Sequence, residues 1–385
     1  MQTPHPSATR RLAALALLGA LGLAAPAWAD LTIGVTLPLT GPASGLGIPI
    51  KNGMSLWPET IGGEKVRLVM LDDATDPTTG VKNARRFVTE DKVDVIVGSA
   101  ATPVAVAVAG VAAEAQTVQL AMSPIPLPPG KDGWSFRLAH SSAVMAHGIV
   151  EHMKKLGVKT VGFLGYADAY GEVWLSDFNA KASAAGIRIV DVERFQRADT
   201  SVTGQAIKLV AANPDAILVV ASGSGAAMPH LALVDRGYRG RIYQTHAAAS
   251  RDLMRVGGKA VDGAYVVSGP AIVAEQLPDS NPAKPQALKY VGAYEKAFGA
   301  GTRNQFGGHA WDGALVLEAA VPIARKKAKP GTPEFRAALK EALESGVAVT
   351  ASQGVIKYTP TDHWGFSDDA AVVLKVVDGD WKLER

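Results

Sequence analysis

The residues best placed to bind a small molecule lie where an apolar run meets the start of a helix. Residues 93–97 are mostly β-branched and apolar over the length of a buried strand, and four small residues, 98–101, follow them. Thr102 and Pro103 then give the order of a helix start, a hydroxyl N-cap and a proline at the first helical position. Free N–H groups at a helix N-terminus attract anions, and small residues such as Ala101 let a ligand approach the backbone. The turn has neither a lysine nor a glycine-rich phosphate pattern, so it favours a carboxylate over a nucleotide; a well-capped α/β unit without a ligand fits the same residues.

Further candidate ligand contacts lie at the ends of other predicted strands. Ser123, Ser222 and His246 each stand at or just beyond the carboxyl end of such a strand, which is the edge where parallel sheets bind ligands. Tyr170 lies in the loop after another strand and precedes a glycine, so it is well placed to face a cleft. The alternatives are a turn capped by Asp168 at the start of a helix, and a histidine whose hydrogen bonds are satisfied in the core.

Motifs of common enzyme and metal sites are missing from the sequence. The histidines form no H-E-x-x-H, no G-x-G-x-x-G follows a predicted strand, and Val220 stands where a nucleophile elbow around Ser222 needs its first glycine. The chain has no cysteine, which excludes disulfides, thiol catalysis and cysteine–metal sites. The pair Asp72-Asp73 at a strand end is interpreted as capping turns rather than as an acid/base pair or a cation site. We therefore predict a binding protein rather than an enzyme, with no cofactor and no metal.

Length and charge indicate how many domains the protein has and which binding partners it lacks. With 385 residues the chain is too long for one ordinary core, so two domains are expected. The net charge is +3, and about +1 without Arg10 and Arg11 (3 − 2), with no basic run that would indicate nucleic acid or an anionic membrane.

The N-terminus has the pattern of an export signal. Arg10 and Arg11 precede an apolar stretch, 12–23, that is too short to span a bilayer, and an A-x-A pattern ends at Ala29. The two arginines also allow a twin-arginine signal as an alternative to the general secretory one. No later apolar run is long enough for a transmembrane helix. The protein is therefore predicted to be periplasmic, without membrane insertion.

Alternating strand and helix patterns predict the fold. The alternation runs from residue 31 to the Pro- and Gly-rich segment 124–133 and restarts beyond it, which indicates two doubly wound α/β domains. Three further predicted helices occupy 285–298, 309–324 and 333–345. The first domain has too few helices to cover both faces of its sheet, so the chain is expected to return to it.

Four motifs carry a resemblance to a known family. These are LTIGVTLPLTGP at 31–42, LDDATDP at 71–77, GSAATP at 98–103 and DAYGE at 168–172. Together, in this order along the chain, they resemble the periplasmic leucine/isoleucine/valine-binding proteins, type I solute-binding proteins of ABC importers. The resemblance implies two Rossmann-like lobes joined by three hinge crossovers and closing on a ligand. Lobe 1 would comprise 30–140 and 269–354, and lobe 2 would comprise 141–268 and 355–385.

The resemblance also assigns roles to residues. It implies that Thr102 binds the ligand carboxylate together with small-residue backbone groups near Ile125, and that Tyr170 borders the pocket. Leu46 stands where the family often has an aromatic residue, and His246 stands where amino-acid binders place a glutamate for the ammonium group. The carboxylate half of an amino-acid site is thus kept, and the ammonium half is lost.

These features predict a monomeric solute-binding component of an ABC importer that delivers a small carboxylate to a permease. An aromatic or 2-oxo acid is the favoured ligand, and a branched-chain amino acid is the alternative. A periplasmic sensor input protein, paired with a receptor instead of a permease, would share the same clamp. A sugar-responsive repressor of this fold would carry a DNA-binding module where this chain has an export signal.

We expect the exported chain to begin at Asp30 and to have 385 − 29 = 356 residues, because cleavage follows the A-x-A pattern. Intact-mass spectrometry of periplasmic material tests this expectation. A chain that keeps Met1, or that stays in the membrane fraction, would contradict it.

Overall fold

The computed structural model describes residues 30–384, so the predicted signal peptide at 1–29 lies outside the described residues. The strands of the first sheet are, in chain order, β1 Leu31–Leu37, β2 Thr60–Ile61, β3 Glu64–Asp72, β4 Val95–Gly98, β5 Val118–Ala121 and β6 Ser135–Arg137. In space they lie in the order β2-β3-β1-β4-β5-β6, and all neighbours are parallel except β2 with β3.

The second sheet is formed by β7 Thr160–Tyr166, β8 Arg188–Phe195, β9 Ala216–Val220, β10 Arg241–Gln244, β11 Tyr265–Ser268, β14 Val372–Val377 and β15 Asp380–Leu383. Its spatial order is β15-β14-β11-β10-β9-β7-β8, with β14 and β15 antiparallel to their neighbours and the other pairs parallel. Between the two visits to this sheet, β12 Val349–Ala351 and β13 Gly354–Ile356 form a separate hairpin.

The helices connect these strands and cover the sheets. They are α1 Ser44–Met54, α2 Pro77–Thr89, α3 Thr102–Glu114, α4 Ser142–Lys155, α5 Ala169–Ala184, α6 Thr203–Ala212, α7 Ala227–Asp235, α8 Arg251–Gly257, α9 Lys284–Phe298, α10 Gln305–Arg325 and α11 Pro333–Leu343. Each sheet has its own large apolar core. The predicted α/β class with two doubly wound sheets is confirmed.

Local capping signals explain several of these boundaries. Asp76-Pro77 has the order of a helix cap followed by proline, which predicts a helix start there. The Asp76 side chain accepts a hydrogen bond from the Thr79 N–H (2.7 Å), so this cap of α2 is confirmed. Asp72 accepts from the N–H groups of Leu39 and Ala74, both at 2.8 Å, which confirms that this carboxylate braces the turns at the strand ends.

Two helix predictions need correction. The sequence predicts a helix from about Ile50 to Trp57, but helix α1 spans Ser44–Met54 and contains Pro49. Of the late helices, α10 and α11 contribute to the core of the first sheet, as expected. Helix α9, however, places Tyr290 and Tyr294 in the core of the second sheet.

The chain passes between the sheets three times, and the crossing segments meet at one buried junction. His140 Nε2 donates to the carbonyl of Gln353 (2.9 Å), and the Gln353 side-chain amide donates to the carbonyl of Gln305 (2.9 Å). A Cβ added to Gly269 would lie 2.1 Å from Oε1 of Gln353 and 2.7 Å from Cε1 of His140. The close approach of the three segments therefore requires a residue without a side chain at position 269.

A buried carboxylate fixes the same junction to α10. Asp312 accepts hydrogen bonds from the backbone N–H groups of Ser352 (2.7 Å) and Gln353 (3.0 Å). Burial raises the pKa of Asp312 to about 7, although these hydrogen bonds favour the ionised form. The two bonds set the position of α10, which carries a wall of the cavity described below.

We expect Gly269→Ala to destabilise the protein by about 1–3 kcal/mol, because the added methyl group overpacks against buried Gln353 and His140. The backbone at Gly269, with φ −71° and ψ 160°, suits alanine, so the cost is steric alone. Gly110→Ala is the control: a Cβ there meets nothing within 4 Å inside α3, and we expect a gain of about 0.5–1 kcal/mol. Urea denaturation of both variants measures the difference, and equal stabilities would rule out the proposed packing.

Candidate ligand-binding site

A cavity of about 360 Å³ lies between the carboxyl ends of the strands of the two sheets. At its mouth the two lobes touch: a Cβ added to Gly45 would lie 3.4 Å from Oδ2 of Asp252 and 3.9 Å from Cα of Gly223. These segments of the two lobes therefore lie close together.

The cavity wall combines a mostly apolar surface with seven polar side chains. The apolar residues are Leu46, Ala100, Met122, Pro124, Ala139, Ala247 and Phe306. The polar residues are Thr102, Ser123, Tyr170, Arg197, Ser222, His246 and His309. Among these lining residues none is Asp or Glu, and Arg197 alone carries a permanent charge.

Thr102 lines the cavity at the N-terminus of α3, but it is not the helix cap that the sequence predicts. The N-cap is Ala101, and no side chain caps the helix. The Thr102 hydroxyl makes no hydrogen bond to another of the described residues, although only 2% of the residue is exposed. The shift by one residue thus leaves this hydroxyl free to bind a ligand.

Ser123 lies beside Thr102 on the same wall, but two other predicted positions do not line the cavity. The Ser123 hydroxyl donates to the carbonyl of Ser99 (3.2 Å). The Ala101 N–H already donates to Oγ of Ser99 (3.2 Å). Ile125 packs in a small separate core, and its carbonyl accepts from Nη2 of Arg137 (3.0 Å). The backbone groups expected at Ala101 and Ile125 are therefore occupied or turned away, and Pro124 lies on the wall instead.

The opposite wall is built around Asp168, which caps α5 by accepting from the Tyr170 N–H (2.9 Å) and the Gly171 N–H (3.2 Å). The loop therefore fits both interpretations: Asp168 caps the helix, and Tyr170 also lines the cavity. Its hydroxyl bonds to Oγ1 of Thr245 (2.7 Å), and burial raises its pKa. Tyr170 is therefore a neutral side chain with its hydroxyl engaged.

Arg197 is a lining residue that the sequence analysis missed. Its Nε donates to Asp168 (2.6 Å), its Nη1 donates to Oγ of Ser222 (3.1 Å), and its guanidinium lies 4.1 Å from the ring centre of Tyr166. Nη2 has no hydrogen-bond partner within residues 30–384. The position of Arg197, two residues beyond the carboxyl end of β8, is the sequence signal that would have identified it.

His246 follows β10 and lies at the cavity, as predicted. Its ring centre is 5.6 Å from that of Trp174 and 6.2 Å from that of Tyr170. Its Nδ1 is buried without a hydrogen-bond partner among the described residues. Burial, with a smaller contribution from His140, lowers the pKa of His246 to about 3, so its imidazole is neutral at ordinary pH.

His309 and Phe306, also missed, come from the first turns of α10. This helix begins at Gln305, four residues before the predicted start, because the Asn304 side chain caps it by accepting from the Gly307 N–H (2.8 Å). Phe306 and His309 are three residues apart and so share one helix face. Asn304 directly before the helix is the signal that would have corrected the boundary.

Within residues 30–384, no group of three or more His, Cys, Asp or Glu side chains is arranged to hold a metal ion. None of the helices there has the length and apolar character needed to cross a membrane.

Comparison with known proteins places this cavity in context. A family model described as "Periplasmic binding protein" matches residues 30–380. The crystal structure of an extracellular ligand-binding receptor from Rhodopseudomonas palustris HaA2 shares 47% identity and a TM-score of 0.91, covering 93% of this chain and 100% of that one. The "Leu/Ile/Val-binding protein homolog 3" of Brucella melitensis is 26% identical over 370 residues, 91% of this chain and 93% of the relative.

A more distant structure shares the fold. It is a solute-binding protein of an ABC transporter from Rhodopseudomonas palustris BisB5, crystallised with 3,4-dihydroxybenzoic acid. It is 23% identical, with a TM-score of 0.76, and covers 91% of this chain and 95% of that one.

Proposed function

The chain belongs to the periplasmic binding protein family, and from this premise we propose that it captures an aromatic or 2-oxo carboxylate for an ABC importer. The predicted family and the type I periplasmic binding protein fold are confirmed. We further propose the lobe limits given by the resemblance, 30–140 with 269–354 and 141–268 with 355–385. The ligand would lie between these lobes, and a permease would receive it.

The observation that carries the ligand class is the charge of the cavity wall. The wall contains one cation, Arg197, and no carboxylate. An anionic ligand finds hydrogen-bond donors there, whereas the ammonium group of an α-amino acid finds no anionic partner. Enclosing an unpaired charge costs several kcal/mol, so the wall favours a carboxylate without an ammonium group.

Thr102 and Ser123 are proposed to hold the ligand carboxylate on the first lobe. Both hydroxyls lie on the cavity wall beside the N-terminus of α3, where N–H groups and the helix dipole favour negative charge. The Thr102 hydroxyl is free to donate, whereas Ser123 would turn its one proton from the Ser99 carbonyl to the ligand. Hydrogen bonds to a charged group are stronger than neutral ones, which favours this exchange.

The second lobe is proposed to contribute Tyr170, Ser222 and His246. The neutral imidazole of His246 can donate to an oxo or hydroxy oxygen, whereas a glutamate there would instead attract an ammonium group. Leu46, Met122 and Phe306 supply apolar surface for a ring. A branched-chain amino acid remains the alternative ligand, because one relative is named a Leu/Ile/Val-binding protein homolog. The 3,4-dihydroxybenzoic acid complex shows only that this fold accommodates an aromatic acid.

We expect the wild-type protein to bind an aromatic or 2-oxo acid at least about 10-fold more tightly than leucine, isoleucine or valine, because the ammonium group would be buried unpaired. His246→Glu should shift the preference toward the amino acids by supplying the missing negative charge. Isothermal titration calorimetry of both proteins against both ligand sets measures this.

His246→Gln is the control for that experiment, since it changes the side chain but adds no charge. It should not gain affinity for amino acids. If the wild type binds leucine at micromolar concentration and no aromatic or oxo acid, the proposal is wrong and the branched-chain alternative stands.

We expect Thr102→Ala to weaken carboxylate binding by about 10-fold or more, because a hydrogen bond to a charged group contributes roughly 1.5–3 kcal/mol. Thr102→Ser keeps the hydroxyl and should stay close to wild-type affinity. Titration of all three proteins with the same acid measures the effect. Wild-type affinity in Thr102→Ala would remove this residue from the site.

A further inference from the structure

His309 is buried in the cavity wall with both ring nitrogens unpartnered. Only 1% of the residue is exposed, and neither Nδ1 nor Nε2 bonds to any of the described residues. His246, on the other lobe, has an unpartnered Nδ1 and is 2% exposed. Both rings line the cavity, and each lies within electrostatic range of His140.

Unpaired polar atoms in a closed cavity are costly. A buried donor or acceptor without a partner has given up its hydrogen bonds to water without replacing them, and native structures leave few such atoms. Two other buried histidines each bond through one ring nitrogen and leave Nδ1 unpartnered: His230 donates from Nε2 to the carbonyl of Ala260 (2.9 Å), and His140 donates from Nε2 to that of Gln353 (2.9 Å). His309 differs because neither of its nitrogens is bonded to the described residues, and it lies in the cavity wall, where a ligand can supply a partner.

We propose that the ligand carries a hydroxyl group on its aromatic ring and that His309 and His246 bind this hydroxyl from opposite lobes. The inference rests on the proposed function and narrows its ligand class to a hydroxylated aromatic acid. His309 is then a specificity-determining residue, which neither the sequence motifs nor the relatives' names assign.

The chemistry of two neutral imidazoles selects a hydroxyl over other groups. Burial lowers the pKa of His309 well below its ordinary value, so each ring offers one N–H donor and one lone-pair acceptor. A phenolic hydroxyl donates one hydrogen bond and accepts another, so one imidazole can receive its proton while the other donates to its oxygen.

Other ligand groups fit this pair less well. A second carboxylate would bring a second negative charge to a wall whose one cation, Arg197, is already paired with Asp168. An ammonium group only donates, and its charge would share the wall with Arg197 and no carboxylate. An unsubstituted ring edge offers neither a donor nor an acceptor.

The test is calorimetric titration of the mature chain with pairs of acids that differ by ring hydroxyls. The pairs are benzoate against 3-hydroxy-, 4-hydroxy- and 3,4-dihydroxybenzoate, and cinnamate against 4-hydroxycinnamate. We expect the best hydroxylated member to bind about 10-fold to 100-fold more tightly than its parent, the range that corresponds to one buried polar group left unpaired.

His309→Phe removes both nitrogens and keeps an aromatic ring, and it should reduce that preference to within about threefold while the parent acid still binds. His309→Leu is a second variant with the same expectation, in case the first does not fold. His230→Phe is the control, because it removes a buried histidine outside the cavity and should leave the wild-type preference unchanged.

The outcomes separate this inference from the proposed function. Equal affinities for parent and hydroxylated acids in the wild type, or an unchanged preference in both His309 variants, would overturn the inference and leave the carboxylate site standing. Binding of 2-oxo acids alone would also overturn it while supporting a carboxylate ligand. If no carboxylate of either kind binds, the proposed function fails as well.

Discussion

The positions of the cavity walls depend on one buried junction, where the three crossing segments pack around Gln353. Its carbonyl accepts from His140, its backbone N–H donates to Asp312, and its side-chain amide donates to Gln305. Losing a hydrogen bond at this depth is costly, so these three bonds tolerate little change in the relative positions of the segments. The start of α10, which carries His309, is thereby fixed to the same residues about which the lobes would move.

The two lobes contribute different chemistry to the cavity. The first lobe contributes a helix N-terminus with the free hydroxyl of Thr102, which suits a carboxylate. The second contributes a preformed group in which Asp168 holds Arg197 against Ser222, together with the neutral imidazole of His246. A ligand that bonds to both walls interacts more strongly with the closed arrangement than with an open one, and this difference in affinity is what shifts a clamp toward closure.

Much of the fold and part of the site were predictable, because their signals are local. Strand ends, caps and turns identified Thr102, Ser123, Tyr170, Ser222 and His246, and all of these line the cavity.

Residues whose placement depends on distant partners were not predictable. Arg197 lies in a polar loop, and its burial depends on Asp168, 29 residues earlier. His309 lies on α10, whose start the sequence predicted four residues too late. The position of this helix depends on Asp312, which accepts a hydrogen bond from a residue 40 positions later. The prediction that Thr102 is the N-cap of α3 was wrong by one residue, which is a normal error for helix ends.

The pairing of Arg197 explains how the cavity can admit an anion without first burying an isolated cation. The ion pair with Asp168 offsets the desolvation cost of the guanidinium. The pair leaves Nη2 without a partner among the described residues, and Arg197 lines the cavity, so the second lobe can offer a hydrogen bond from a charged group while the net charge of the ion pair is zero. The selectivity of such a cavity comes from matching donors and acceptors more than from net charge. Amino-acid binders of the family place a glutamate where this chain has His246. A neutral imidazole in place of that glutamate would therefore change the ligand class, while the fold and the site that binds the ligand carboxylate are kept.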